Sequence, residues 1–336
     1  MAAAEAPGGR SHFWGDDPAE EDDYYAAQGI HGSSSFYTSR RGVTLFTRSW
    51  LPQITPTSSP PGRPRALICM IHGYGNDISW TFQATPIFLA QHGFACFALD
   101  LPGHGRSQGL RAFVSDVDAV ACDCLAYFRS VRQSPGLQGL PCFLFGESMG
   151  GALCLLIHLL EQEGEQGWDG AVLVAPMCKI SDSIRPRWPV PEILTFVAKF
   201  APTLPVVPTA DLLAKSVKVE EKRVVAASNP LRYAGRPRLG TVAELMRVTD
   251  RLNSRLSEVT IPFIVLHGSA DVVTDPSVSR ALYDTAKSKD KTIKIYDGML
   301  HSLLFGEPDE NIAMVRNDIL AWLNERTGGA ADRRNC

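Results

Sequence analysis

The chain has 336 residues, 45% of them hydrophobic and 21% charged, the balance of a globular protein rather than a disordered or membrane-spanning one. A formal net charge of -3, from 33 Lys and Arg against 36 Asp and Glu, offers no basic field, so no nucleic-acid partner is expected. No run reaches the roughly 18 apolar residues of a bilayer span, and the acidic, Gly-rich first 23 residues do not read as a secretory signal.

Residues 1–35 read as a partly ordered arm rich in Ala, Gly, Ser and acids, with Tyr24, Tyr25 and Phe36 as the first aromatics able to dock onto a body. A strand pair is predicted at Ser35–Thr38 and Val43–Trp50, turned by Arg41-Gly42. A Pro/Ser-rich loop follows from Pro52 to Pro64. Short apolar runs at Ala66–His72, Ala95–Asp100, Cys142–Phe145, Ala171–Ala175, Phe263–His267 and Thr292–Tyr296 then read as strands buried on both faces, the mark of a parallel sheet. Between them, helical spacing of apolar residues appears at Ser79–Gln91, Asp116–Arg132, Gly150–Glu163, Pro276–Lys287 and Asp309–Glu325. Alternating strands and helices give an α/β class with a mainly parallel central sheet flanked by helices. The core is therefore expected at 36–175 and 257–336. From 176 to 256 the rhythm breaks, with prolines at 186, 189, 191, 202, 205 and 208. That stretch is expected to be a largely helical cap over the strand ends, where open α/β sheets bind ligands.

Of eight cysteines, Cys69, Cys96, Cys142, Cys154 and Cys178 lie in apolar runs and read as reduced core residues. Cys122 and Cys124 form a lone C-x-C pair without partners at metal-ligand spacing, so no metal or cofactor is expected.

Gly146-Glu147-Ser148-Met149-Gly150 follows the strand ending at Phe145 and precedes a helical run, which is G-x-S-x-G in strand–turn–helix context. Such a turn lifts a serine hydroxyl to the head of a helix, where the amide dipoles favour developing negative charge. A serine hydroxyl needs a base to take its proton, and that base needs a carboxylate to orient it. In this arrangement the acid and then the histidine follow the serine in sequence. Among the eight histidines, His301 alone lies on a loop after the last strand and before the C-terminal helix. The acid is Asp271 or Asp275, both after the strand Phe263–His267. Asp275 precedes Pro276 and a helical pattern, so capping accounts for it and Asp271 is taken as the acid. Asp100 precedes Ser148 and sits before a structural turn. The oxyanion hole is assigned to the backbone N–H groups of Met149 and of Tyr74 in His72-Gly73-Tyr74-Gly75. The string His72-x4-Asp77 is read as coincidence.

His72–Gly75, Gly103-His104-Gly105-Arg106-Ser107, Gly146–Gly150, Gly268–Asp271 and His301 together resemble the monoacylglycerol lipase and lysophospholipase branch of the α/β-hydrolases, over nearly the whole chain from about residue 35. Within it, the plant caffeoylshikimate esterases are similar through Phe13-Trp14-Gly15, Tyr24-Tyr25, Phe143–Gly151, Ala227-Ser228-Asn229-Pro230 and His301-Ser302-Leu303. The resemblance implies an α/β-hydrolase fold and ester hydrolysis through an acyl-enzyme, with Ser148 as nucleophile, Asp271 as acid and His301 as base. It implies caffeoyl shikimate as substrate, a step toward lignin precursors. A monoacylglycerol or lysophospholipid lipase is the first rival reading, and a non-catalytic receptor on the same fold the second. A caffeoyl ring is expected against Trp80 or Trp188, and a shikimate carboxylate against a cation such as Arg187. The expected location is the cytoplasm, with peripheral contact at the endoplasmic reticulum membrane through an apolar cap.

Overall fold

The computed structural model describes residues 18–53, 62–161, 167–178, 189–207 and 212–327. Eight strands form one sheet: β1 (Ile30–Thr38), β2 (Thr44–Pro52), β3 (Leu67–Ile71), β4 (Ala95–Leu99), β5 (Cys142–Glu147), β6 (Gly170–Val174), β7 (Phe263–Gly268) and β8 (Lys291–Tyr296), in the order β1-β2-β4-β3-β5-β6-β7-β8. β1 pairs antiparallel with β2, and β2 with β4; all the other pairings are parallel. The six expected core strands appear with boundaries within two residues, and five of them are largely buried; β8, expected to be buried on both faces, instead forms the far edge of the sheet, with Lys294 exposed and only Tyr296 buried.

Period-two side-chain alternation divides the core into two layers. Leu67, Cys69 and Ile71 of β3 face one layer, with the buried sides of α3 (Val117–Arg132), α4 (Met149–Glu161) and α9 (Pro276–Thr285). Ile68 and Met70 face the other, with α2 (Ala84–Gln91) and α10 (Asp309–Thr327). Each fully buried Leu, Ile or Phe in these layers contributes about 1.5–3 kcal/mol. Caps set the helix starts: Asp116 accepts from the Ala119 amide at 2.9 Å before α3, and Asp275 accepts from Ser277 N at 2.8 Å before α9, with Pro276 next. α2 begins at Ala84, later than the apolar spacing suggests, because Asp77 captures the Ser79 amide at 2.7 Å in a turn.

Residues 18–35, which the composition groups with the arm, differ from that expectation. α1 (Pro18–Ala27) and the first half of β1 close the sheet edge, with Tyr25 1% exposed against Trp50 and Ile30. Tyr25 Oη accepts from buried Arg48 Nη1 at 2.5 Å and donates to Gln83 Oε1 at 2.8 Å, and Glu21 pairs with the same guanidinium. A buried guanidinium needs such partners. Phe13-Trp14-Gly15 lies outside the described residues.

Among the described residues, four α-helices lie between β6 and β7: α5 (Val190–Ala198), α6 (Leu212–Ser216), α7 (Glu220–Ser228) and α8 (Leu239–Arg255). α8 is amphipathic and buries Val248 and Leu252 in the core layer that holds α3 and α4. α5 leaves Ile193 and Phe196 exposed, with Phe200 just beyond it 77% exposed. No helix among the described residues is long and apolar enough to cross a membrane. Tyr25→Ala is expected to lower unfolding free energy by about 3 kcal/mol in urea denaturation, as befits a core aromatic rather than an arm residue.

Candidate active site

Ser148 sits between β5 and α4 at φ 53°, in the left-handed region that a side chain adopts only under compulsion. Four backbone bonds hold it there: Ser148 N donates to Val174 O at 2.9 Å, and its carbonyl accepts from Met177 N at 2.9 Å, Gly151 N at 3.0 Å and Ala152 N at 3.4 Å. The surrounding space admits no side chain at two flanking positions. A Cβ on Gly146 would lie 2.4 Å from the Gly150 carbonyl carbon, and one on Gly150 would lie 2.1 Å from Ile71 O.

The loop after β3 passes over the serine, close enough that a Cβ on Gly73 would stand 3.3 Å from Ser148 Cβ. Among the described residues, no oxygen accepts from the amide of Tyr74 or of Met149. Two unpaired N–H groups therefore flank the serine, one of them at the start of α4, where the helix dipole adds positive potential. The Tyr74 hydroxyl points elsewhere, donating to Ala112 O at 3.0 Å.

Asp271 follows β7, and its carboxylate is saturated with donors. Oδ1 accepts from Val273 N at 2.7 Å and Thr274 N at 3.1 Å. Oδ2 accepts from Thr274 Oγ1 at 2.9 Å, His267 Nε2 at 3.0 Å and His301 Nδ1 at 2.7 Å. Burial alone would raise its pKa, but the hydrogen bonds and charge of the two imidazoles outweigh burial and hold it well below the usual carboxylate range. His301 stands on the loop between β8 and α10, its side chain 13% exposed. That loop is tied down by Leu300 N donating to buried Glu307 Oε1 at 2.6 Å, and it crosses so near β7 that a Cβ on Gly268 would meet Met299 O at 2.2 Å.

The structure thus brings Asp271 and His301 into contact. Among the described residues, Ser148 Oγ and His301 Nε2 have no hydrogen-bond partner, so the serine–histidine bond is not made in this structure. Glu147, partly buried beside the serine, has its carboxyl pushed up to about 7 by burial, which nearby His301 and Arg316 offset in part.

Residues 62–309 match the family described as serine aminopeptidase, S33. Caffeoylshikimate esterase of Arabidopsis thaliana is 41% identical over 325 residues, covering 97% of this chain and 94% of that one. The chain belongs to this branch of the α/β-hydrolases. Monoglyceride lipase of Homo sapiens is 32% identical over 86% of this chain and 89% of its own. A solved structure of a soluble variant of monoglyceride lipase from Saccharomyces cerevisiae, in complex with a substrate analog, shares the fold at TM-score 0.74 and 22% identity, covering 87% of this chain and 94% of that one. Membership makes this α/β-hydrolase a serine carboxylic ester hydrolase and sets aside the receptor reading.

Of the substrate contacts expected for the α/β-hydrolase, Trp80 is 7% exposed and presents little surface, while Arg187 and Trp188 lie outside the described residues. His72 cannot serve as a second base. Its Nδ1 donates to Gly73 O at 2.7 Å, its Nε2 accepts from Leu101 N at 3.0 Å, and burial holds its pKa down to about 4. Asp100 is structural too, accepting from Ile78 N and Arg106 N at 2.9 Å each. Cys124 is buried while Cys122 is exposed, so the C-x-C pair does not converge. Asp116, Asp118 and Glu244 cluster at the surface, where Arg247 and Arg251 meet the charge of Asp118 and Glu244.

His267 is the residue that sequence reasoning passed over. It is fully buried at the end of β7, its Nδ1 2.7 Å from Ser279 Oγ and its Nε2 facing both Asp271 Oδ2 and, at 2.8 Å, Thr274 O. Two acceptors at Nε2 require that nitrogen to carry the proton. The four-residue spacing His267-x3-Asp271 was the available signal. A depressed carboxylate contributes stability above its unfolded pKa of about 4 that is lost as pH falls below it. His267→Ala removes part of that depression, so its ΔG of unfolding should fall less steeply than wild type between about pH 5 and 3. In the same variant kcat should drop about tenfold as the acid loses its alignment.

Proposed function

We propose that this α/β-hydrolase cleaves caffeoyl shikimate to caffeate and shikimate through an acyl-enzyme. The observation that carries the substrate is the 41% identity to the Arabidopsis caffeoylshikimate esterase, spread over 97% of the chain rather than confined to the G-x-S-x-G turn.

In this reading His301 Nε2 takes the proton of Ser148 as the hydroxyl oxygen attacks the ester carbonyl. Asp271 Oδ2, 2.7 Å from Nδ1, fixes the tautomer that leaves Nε2 as acceptor and stabilises the imidazolium. The unpaired amides of Tyr74 and Met149 receive the oxyanion. Collapse of the tetrahedral intermediate expels the alcohol, here shikimate, with the proton from His301. Water then enters, gives its proton to His301, and frees the acid by the same steps in reverse. Proton transfer requires the serine–histidine bond to close as substrate binds over Ser148.

A second reading, monoacylglycerol hydrolysis, draws on the 32% identity to the human monoglyceride lipase and on the exposed apolar residues Ile193, Phe196 and Phe200, which suit an acyl chain or a lipid surface. For both readings we place the enzyme in the cytoplasm, with this face toward the endoplasmic reticulum membrane.

Side-by-side kcat/KM values on caffeoyl shikimate and on a monoacylglycerol decide between them. Wild type should prefer caffeoyl shikimate by at least about tenfold, and Ser148→Ala should lose at least about a thousandfold in kcat on either ester. Preference for the acylglycerol would replace the substrate and keep the chemistry.

A further inference from the structure

The insertion does more than cover the strand ends: it is bonded into the loops that build the site. Asp77, in the loop after β3, is fully buried. Its Oδ1 accepts from Ser79 N at 2.7 Å and Trp80 N at 3.4 Å, and its Oδ2 accepts from Asn229 Nδ2 at 2.6 Å. Asn229 ends α7 of the insertion and is 4% exposed. Its Oδ1 accepts from Leu231 N at 2.9 Å, which leaves only Nδ2 to face Asp77. Four residues on, Tyr233 N donates to Gly75 O at 2.8 Å, with Gly75 at φ +75°. Tyr74, the oxyanion donor in the reading above, is the residue just before the first of these anchors. The upstream end of the same segment grips the other loop: Ser302 N donates to Ser216 O at 2.9 Å, and Gly306 O accepts from Lys218 N at 2.9 Å and Val219 N at 3.0 Å. Residues 216–233 therefore span from the His301 loop to the Tyr74 loop.

We propose that Asn229 is a positioning residue for ester cleavage: by bonding Asp77 across the boundary between insertion and sheet, it fixes the loop that aims the Tyr74 amide at the substrate's carbonyl oxygen. The inference rests on the assignment of Tyr74 to the oxyanion hole. It also accounts for Asp77 of the His72-x4-Asp77 string, whose carboxylate serves geometry and not proton transfer. The charged and titratable groups around the bond are Asp100 at the end of β4, His104 and Arg106 of the turn that follows it, and on the Asn229 side Arg232 and Arg111, whose guanidinium donates to the carbonyls of Leu231 and Arg232.

The test uses the full chain and a 4-nitrophenyl ester, so that preference for a particular acid or alcohol does not enter. Asn229→Ala should lower kcat about tenfold or more while KM stays within about twofold, because the loss falls on the transition state. Asn229→Asp is nearly isosteric and carries the sharper readout. At low pH its protonated carboxyl can donate to Asp77 as the amide did; at higher pH two carboxylates face each other across the same gap. The ratio of its kcat to that of wild type should therefore fall at least about fivefold from pH 5 to pH 8, with circular dichroism confirming the fold at each pH. A folded Asn229→Asp enzyme whose ratio stays flat with pH, or variants that keep kcat within twofold of wild type, would overturn the proposal while Ser148-dependent turnover stands. Wild-type turnover that survives Ser148→Ala would instead overturn the catalytic reading beneath it, and this proposal with it.

Discussion

Ser148 is held at φ 53°, and this single forced dihedral organises the centre of the molecule. A side chain in that region costs about 1–3 kcal/mol, so the turn persists only while its neighbours impose it. They do so through the parallel sheet: Val174 at the end of β6 receives the Ser148 amide, and Ile71 at the end of β3 leaves Gly150 no room for a Cβ. Ile71 pairs with Gly146, and Glu147 with Val174, so the register of three central strands delivers those contacts. A shift in that register would release the serine before it exposed the core. The rigidity of the fold and the geometry of its most reactive atom are in this sense one constraint.

The parts of this architecture legible in the sequence are those written in local patterns. Five buried strands show as apolar runs because helices cover both faces, while β8, with Lys291 and Lys294 in it, lies at the sheet edge; the Ser–Asp–His order follows from where loops leave these strands. Asp275 declares itself as a cap through Pro276, which separates it from Asp271. What stayed hidden depends on partners distant in the chain. The edge formed by α1 and β1 lacks an apolar run, since β1 faces solvent at Ser33, Ser34 and Ser35, and its core anchors Tyr25 and Ile30 stand apart from any apolar run, Tyr25 in an acidic helix. His267 reads as the end of a strand until its ring is seen beside Asp271. Asn229 and Asp77 lie 152 positions apart, and no local spacing could couple them.

Asp271 shows how much the site invests in one carboxylate. Five donors converge on its two oxygens, two from backbone amides, one from a hydroxyl and two from imidazoles. Backbone donors fix its position, and the shared Oδ2 fixes which face of His301 it meets. Such saturation keeps the carboxylate ionised in a buried setting where an isolated acid would take up a proton. In the proposed reaction His301 can then become an imidazolium without passing its proton to its own support.

The backbone bond from Tyr233 to Gly75 also bears on how this fold can diversify. A main-chain contact tolerates changes of side chain but not of chain length, so residues 216–233 are bound to the sheet in a way that the exposed α5 is not. Exchanging this insertion between relatives therefore has its workable seam inside it, upstream of Ser216, and not at the ends of β6 and β7. The portion free to drift is smaller than the insertion itself, and new specificities can arise in it without retuning the turnover machinery.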